Sequence, residues 1–238
     1  MDIKAPYLLF LGDAPDELAA KTAIGVLHWR PEKCMGQFRL PGCAADLGLT
    51  DMTIAEAAAA GVRTLVIGVA NAGGRIPDHW TRSIVEALDA GLDVASGLHR
   101  RLDAIPAIAD AAARNGRALM DVRHPSGDLA VGTGKRRTGK RLLAVGTDCS
   151  VGKMFASLAI EAEMKARGIA VDFRATGQTG ILIAGSGISV DAVVADFISG
   201  ASESLSPDND PDHWDIVEGQ GSLFHPSFAG VSLGLLHG

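Results

Sequence analysis

Short apolar, β-branched runs alternate with longer alanine-rich stretches along this chain, and glycine marks most of the junctions. Tyr7 to Leu11 reads as a strand ended by Gly12-Asp13. Thr53 to Ala60 reads as a helix: Thr53 stands at the cap and Glu56 three residues on, the spacing of a reciprocal N-terminal cap. Gly61 closes it, and Thr64-Leu65-Val66-Ile67-Gly68-Val69 follows as a buried strand. A helix over Asp78 to Ala90, a strand over Asp93 to Ser96, a helix over Ala104 to Arg114 and a strand over Ala118 to Val122 continue the pattern. Such alternation implies βαβ units around a largely parallel sheet. The tetrapeptide Pro-Asp-His-Trp occurs at Pro77 and at Pro211, but one short match among so many windows is expected by chance.

Composition narrows the class. With 238 residues the chain can bury a real core as one large domain or two small ones. A hydrophobic share of 47% against 21% charged excludes a disordered chain. The net charge of -6 gives no reason to expect nucleic acid or an anionic membrane. No apolar run is long enough to span a bilayer and Met1-Asp2-Ile3-Lys4 opens no signal peptide, so a cytoplasmic protein is expected. Cys34, Cys43 and Cys149 are an odd number without metal-ligand spacing, and no metal site is expected.

Between His124 and Arg141 the composition shifts. Gly127, Gly132, Gly134 and Gly139 interleave with Lys135, Arg136, Arg137, Lys140 and Arg141, with little apolar periodicity. A solvated linker between two α/β units is the expectation, with a basic patch for a polyphosphate as the alternative. Residues 1–125 are then a first domain, 126–140 the linker and 141–238 a second domain. The second domain opens with a strand at Leu142-Leu143-Ala144-Val145 and a helix carrying Met154, Leu158 and Ala162 on one face, with Glu161 and Lys165 at a favourable spacing. Val171 to Arg174 reads as a strand, Val190 to Gly200 as a helix, Trp214 to Val217 as a strand, and Val231 to His237 as the start of another element. Three strands are few for an open sheet.

The sharpest motif is Gly146-Thr147-Asp148-Cys149-Ser150-Val151-Gly152-Lys153, between an apolar strand and an amphipathic helix. That is the context of a phosphate-binding loop: glycines let backbone N–H groups turn inward, the helix N-terminus adds partial positive charge, and Lys153 supplies a point charge. The spacing is one residue longer than the standard pattern. After the lysine stands Met154, where a Ser or Thr hydroxyl would bind Mg²⁺, and a thioether is a poor ligand for a hard cation. Such a loop can grip a pyrophosphate, including that of coenzyme A, while the case for ATP hydrolysis weakens.

Other strand exits are candidates. Ala175-Thr176-Gly177-Gln178-Thr179-Gly180 could bind a phosphate or a carboxylate, or be a plain turn. Asp215-Ile216-Val217-Glu218-Gly219-Gln220-Gly221 ends a strand in an acid followed by glycines, and carboxyl ends of strands are where open α/β sheets bind ligands. Glu218 is thus a candidate general base or metal ligand. His225 is weaker, since a lone histidine is more often structural. Gly68 to Arg75 could offer N–H groups and Arg75 to an anion, although glycine-rich strand exits are commonly ordinary turns.

Together, Gly146 to Met154, Arg174 to Gly187 and Asp212 to Leu236 resemble a bacterial family with an N-terminal Rossmann-like domain and a C-terminal P-loop domain, described in its DgcN-type members as D-glutamate N-acetyltransferases. The loop and Glu218-Gly219 are also similar to dethiobiotin synthetase, which has Thr in place of Met154. The first resemblance implies an α/β protein with a P-loop NTPase-like second domain, and acetyl-CoA as cosubstrate in D-glutamate catabolism. Family members look longer than this chain, so it implies a C-terminally truncated second domain. On this reading Gly146, Thr147, Asp148, Cys149, Ser150, Val151, Gly152 and Lys153 hold the coenzyme phosphates. Glu218 is the base, with Asp148 and His225 as lesser candidates, and Arg174, Thr176, Gln178 and Thr179 bind the amino acid. Cys149, at a helix N-terminus where a thiol pKa should fall, leaves an acetyl-cysteine route open. The competing readings are an ATP- and Mg²⁺-dependent ligase or kinase and a non-catalytic nucleotide-binding protein. Small-molecule partners, neither nucleic acid nor membrane, and a homo-oligomeric assembly are expected.

Overall fold

The computed structural model describes residues 2–125 and 127–238, and the chain divides into two compact units, Met1–Arg123 and His124–Gly238. In the first unit, β1 (Tyr7–Gly12), β2 (Cys34–Arg39), β3 (Thr64–Ile67), β4 (Asp93–Ser96) and β5 (Leu119–Asp121) form one parallel sheet in the order β2-β1-β3-β4-β5. The intervening helices are α1 (Lys21–Trp29), α2 (Ile54–Ala59), α3 (Asp78–Asp89) and α4 (Pro106–Asn115). β1 and β3 are buried along their whole length, which is why they read as continuous apolar runs rather than alternating ones. Each fully buried Leu, Val or Ile in them contributes about 1.5–3 kcal/mol of burial.

The reciprocal cap of α2 is present: the Thr53 hydroxyl accepts from the Glu56 N–H, and the Glu56 carboxylate accepts from the Thr53 N–H at 2.8 Å. Two elements exceed those expected. α1 contains a glycine and lacks a capping side chain, and β2 reads Cys-Met-Gly-Gln-Phe-Arg, with no apolar run. What fixes β2 is tertiary: it pairs with β1, and the buried Gln37 donates to Asp46 and accepts from the Leu47 N–H, both at 2.8 Å. The two Pro-Asp-His-Trp segments differ in structure, one opening α3 and the other leading into a strand.

The second unit holds β6 (Lys140–Leu143), β7 (Val171–Arg174) and β8 (Trp214–Val217), parallel in the order β6-β8-β7. Its helices are α5 (Lys153–Ala166), α6 (Gln178–Ala184), α7 (Ala195–Leu205) and α8 (Ala229–His237). β6 begins two residues before the expected strand, because its pairing with β8 runs from Lys140 opposite Trp214 to Leu143 opposite Val217. In α5 the buried face is Ser157, Leu158 and Glu161, while Ala162 is exposed. Glu161 takes the inner place because its carboxylate meets Lys165 at 2.7 Å and the Phe173 N–H at 3.3 Å. The expected helix from Val190 starts only at Ala195; Val190 gives its N–H to the Thr176 carbonyl at 3.0 Å and heads a single 3₁₀ turn.

The basic glycine-rich segment is largely exposed yet tied to the second unit. The N–H groups of Thr133 and Gly134 donate to Glu203 at 2.8 and 2.7 Å, and the Thr138 N–H donates to Asp208 at 2.8 Å. Arg137 and Arg141 donate to backbone carbonyls of residues 203–207. Among the described residues no helix is long and apolar enough to cross a membrane.

Candidate active site

β6 and β8 lie side by side, so the loops leaving their carboxyl ends meet. The approach is so close that a Cβ on Gly219 would stand 1.6 Å from the Ala144 carbonyl oxygen; only glycine fits there. The loop after β6 runs from Ala144 to Gly152 and enters α5 at Lys153. It is stitched to the loop after β8 from both sides: Leu223 N–H donates to the Gly146 carbonyl at 2.9 Å, and the buried Ser222 hydroxyl donates to the Thr147 carbonyl at 2.9 Å. The Lys153 ammonium donates to the carbonyls of Asp148 at 2.9 Å and Gly221 at 2.8 Å. It is therefore held over the loop by neutral oxygens, which an incoming phosphate can displace with a stronger, charge-assisted pair.

A cavity of about 730 Å³ opens between these loops, with Cys149, Ser150, Gly152, Lys153 and Met154 on one wall and Glu218, Gly219 and Gln220 on another. That size lies within the range of small-molecule sites. Asp191 and Phe228 also line it. A pyrophosphate suits the N–H-rich, lysine-bearing wall, while the Met154 thioether offers no oxygen to a magnesium ion.

Glu218 is the group with unusual chemistry. Only 3% of it is exposed, and one carboxylate oxygen, Oε2, accepts from the N–H groups of Thr176 at 2.9 Å and Gly177 at 3.0 Å. Thr176 also donates its hydroxyl to the Glu218 carbonyl at 2.6 Å. A Cβ on Gly180 would lie 2.2 Å from Oε2, so the first turn of α6 needs glycine to admit the carboxylate. Burial drives the Glu218 carboxyl up and the Asp191 carboxylate adds to that; the Thr176 and Gly177 N–H groups and Gln220 pull back, and the outcome is a pKa pushed up to about 7. A carboxyl that changes protonation near neutrality is suited to accepting and returning a proton.

The remaining sequence candidates divide. Gly152, Lys153, Cys149, Ser150 and Glu218 share the cavity. Gly146, Thr147, Asp148 and Val151 belong to the loop without lining that cavity, and the exposed Asp148 carboxylate accepts from the Cys149 N–H at 2.7 Å. His225 lies outside it too; its Nδ1 accepts from the Ser227 N–H at 3.2 Å and its ring packs on Phe228, bracing the loop. Thr176 is fully buried and spends its N–H and hydroxyl on Glu218. Gln178 and Thr179 begin α6 half-buried, in a helix where a turn was one expectation.

Arg174 points elsewhere: its guanidinium contacts Asp215 at 2.7 Å and Asp172 at 3.2 Å. Strand alternation explains this, since Asp172 stands opposite Asp215 in the ladder and Arg174 opposite Val217, on the face opposite to Glu218. Asp172, His213 and Asp215 bring three potential ligand atoms within 4.8 Å of one another, but Arg174 already supplies the positive charge there. Gln220 carries no role in the sequence-based expectations, although it lies in the 215–221 segment, and Asp191 is absent from them. Gln220 lies in the segment after Glu218, so its position two residues on was the available signal; Asp191 had none.

These features define a two-unit α/β protein whose second unit carries a phosphate-binding loop beside a buried acid. A family model described as the P-loop domain of a domain of unknown function, DUF1611_C, matches residues 129–238, and one described as a Rossmann-like domain, DUF1611_N, matches residues 38–125. The chain belongs to the DUF1611 family. It is 61% identical over 236 residues to a D-glutamate N-acetyltransferase of Tritonibacter scottomollicae, covering 99% of this chain and 71% of that protein. A D-glutamate N-acetyltransferase of a Pseudoalteromonas species is 55% identical over 238 residues, covering all of this chain and 72% of its own length. Among solved structures, a DUF1611 family protein from Anabaena variabilis ATCC 29413 superposes with a TM-score of 0.77 at 30% identity, over 99% of this chain and 71% of that one.

Proposed function

We propose that this protein transfers the acetyl group of acetyl-CoA to the amino group of D-glutamate. The identity to two enzymes of that name supports the reaction, and the observation that carries the chemistry is a buried carboxyl with a pKa pushed up to about 7 in the same cavity as a phosphate-binding loop. The thioester brings an already activated acetyl group. What remains for the chain is to hold the coenzyme, take a proton from the substrate ammonium and exclude water.

In this reading the loop N–H groups and Lys153 grip the coenzyme pyrophosphate, Lys153 exchanging its two carbonyl partners for phosphate oxygens. The ammonium first gives one proton to solvent; Glu218 takes the second as the new N–C bond forms and the C–S bond breaks, and returns it to the departing thiolate, so that one proton is released per turnover. Gln220 and the Thr176 and Gly177 N–H groups hold the carboxylate in place. The Asp191 carboxylate lines the same cavity wall and adds negative charge that attracts the ammonium. The domain assignment that goes with this is a Rossmann-like unit followed by a P-loop unit that houses the chemistry.

The test is thiol release from acetyl-CoA with D-glutamate, with L-glutamate and with neither, beside a parallel assay of Mg²⁺-dependent ATP hydrolysis. Release that requires D-glutamate is expected. Silence with all amino acids together with ATP turnover would replace the transferase with the ligase reading.

A further inference from the structure

The order of the first sheet reverses between β1 and β3: from β1 the chain moves to β2 on one side, then to β3, β4 and β5 on the other. In a parallel α/β sheet such a reversal opens a crevice outside the carboxyl ends of the two strands, because their connections leave in opposite directions. Here that crevice holds a cavity of about 660 Å³, lined by residues that follow β1 and β3. It lies wholly in the first unit, and nothing in the acetyl-transfer reading uses it.

Its walls combine three chemistries. Leu18 and Trp80 give it apolar surface. Asp13 and Asp16 give it carboxylates; Asp13 is fixed by the Trp80 indole N–H at 2.7 Å and by His79 at 3.0 Å. Lys21 lines the cavity, and Arg75 and Arg100 are tied to the turn that follows Asn71 on its wall. Asn71, on the wall, clamps Arg75 by donating to its carbonyl and accepting from its N–H, both at 2.8 Å. The Arg75 side chain lies over Gly73, with Nε 3.3 Å from where a Cβ would be. Arg100 joins the same turn through its N–H on the Gly74 carbonyl at 2.9 Å. Both arginines are exposed, and neither has an acidic partner among the described residues.

The site suits a ligand with an apolar face, donors for the carboxylate oxygens that Trp80, His79 and the Ala19 N–H leave open, and an anionic end for Lys21 and the arginines of the adjoining turn. A nucleoside phosphate has all three: a base face for the apolar wall, ribose hydroxyls and an exocyclic amine for Asp13 and Asp16, and a phosphate for Lys21, Arg75 and Arg100. An acidic amino acid and inorganic phosphate offer no apolar plane to the Leu18 and Trp80 wall. We propose that the crevice between β1 and β3 is a second ligand site, separate from the P-loop, that takes a nucleoside phosphate, either free or as the adenosine phosphate end of coenzyme A.

Hydrogen exchange on the whole protein locates the binding directly. ADP, AMP, coenzyme A and inorganic phosphate are compared at saturation, with wild type, Arg75→Glu and Ala72→Trp, the last to fill the exposed lip of the cavity. Protection of residues 12–21 and 69–76 is expected with a nucleotide, and both variants should weaken it about tenfold or more in apparent affinity. Protection strongest with ADP or AMP identifies a free nucleotide, and protection strongest with coenzyme A identifies the coenzyme. Protection confined to residues 144–154, equal protection by phosphate alone, or a response unchanged in both variants would overturn the proposal; unchanged exchange elsewhere in the first unit verifies that the variants fold.

Discussion

Strand β8 and its exit carry two buried acids three residues apart, Asp215 and Glu218, and their surroundings make them opposites. Asp215 is 1% exposed and meets the Arg174 guanidinium, itself a quarter exposed, at 2.7 Å. Glu218 is 3% exposed and has backbone N–H groups and Gln220 where Asp215 has a cation. A buried carboxylate that is paired with a cation holds its partner in place and serves the fold. One that is buried among dipoles, with a second carboxylate nearby, has its two protonation states brought close in energy near neutral pH, which serves catalysis. The lesson is that burial of an acid carries no function by itself; the identity of its partner decides.

The sharpest way to break that contrast is to remove the titrating proton while keeping the shape. Glu218→Gln still offers an oxygen to the Thr176 and Gly177 N–H groups, and it should lower kcat/KM for D-glutamate-dependent thiol release by about 10²–10⁴-fold, with an unchanged circular dichroism spectrum. A loss of less than threefold would remove Glu218 as the base. Next in size, Lys153→Ala should raise KM for acetyl-CoA about 10–100-fold, the worth of a charge-assisted hydrogen bond, with kcat less affected; steady-state kinetics against acetyl-CoA separate the two parameters.

The stability of the same two acids should diverge as well. The Glu218 carboxyl is raised from 4.5 to about 7, so its contribution is fully present below pH 4.5 and is lost as pH rises through 7. Denaturation of wild type and Glu218→Gln across this window should therefore show wild type losing roughly 3 kcal/mol relative to the variant. Asp215→Ala should cost about 1–3 kcal/mol in urea denaturation, less than for a fully buried pair because Arg174 is partly exposed and keeps Asp172. Smallest is Thr176→Val, which leaves the Glu218 carbonyl without its hydroxyl donor and should cost about 1 kcal/mol in the same measurement.

The parts of this molecule that could be read from sequence are those whose cause is local. The cap of α2, the strands at Asp93–Ser96, Val171–Arg174 and Trp214–Val217, and the loop ending in Lys153 are each announced by a pattern within a few consecutive residues. Glu218 was legible as an acid at a strand exit. Its partners were not: Asp191 reaches the cavity on a 3₁₀ turn that exists because the Val190 N–H is drawn to the Thr176 carbonyl. The family resemblance implied that Arg174 binds a substrate carboxylate, but the pleat turns it toward Asp172 and Asp215. β2 owes its place to pairing with β1 and to the Gln37 contacts, which no periodicity in its six residues announces.

The central claim is that Glu218 takes the substrate proton, and the pH dependence of kcat/KM for D-glutamate with acetyl-CoA in wild type and Glu218→Gln tests it most directly. The profile should rise with unit slope below about pH 7, level off above it, and lose that step in the variant. A wild-type profile flat from pH 5 to 8, or a step that survives in Glu218→Gln, would contradict it.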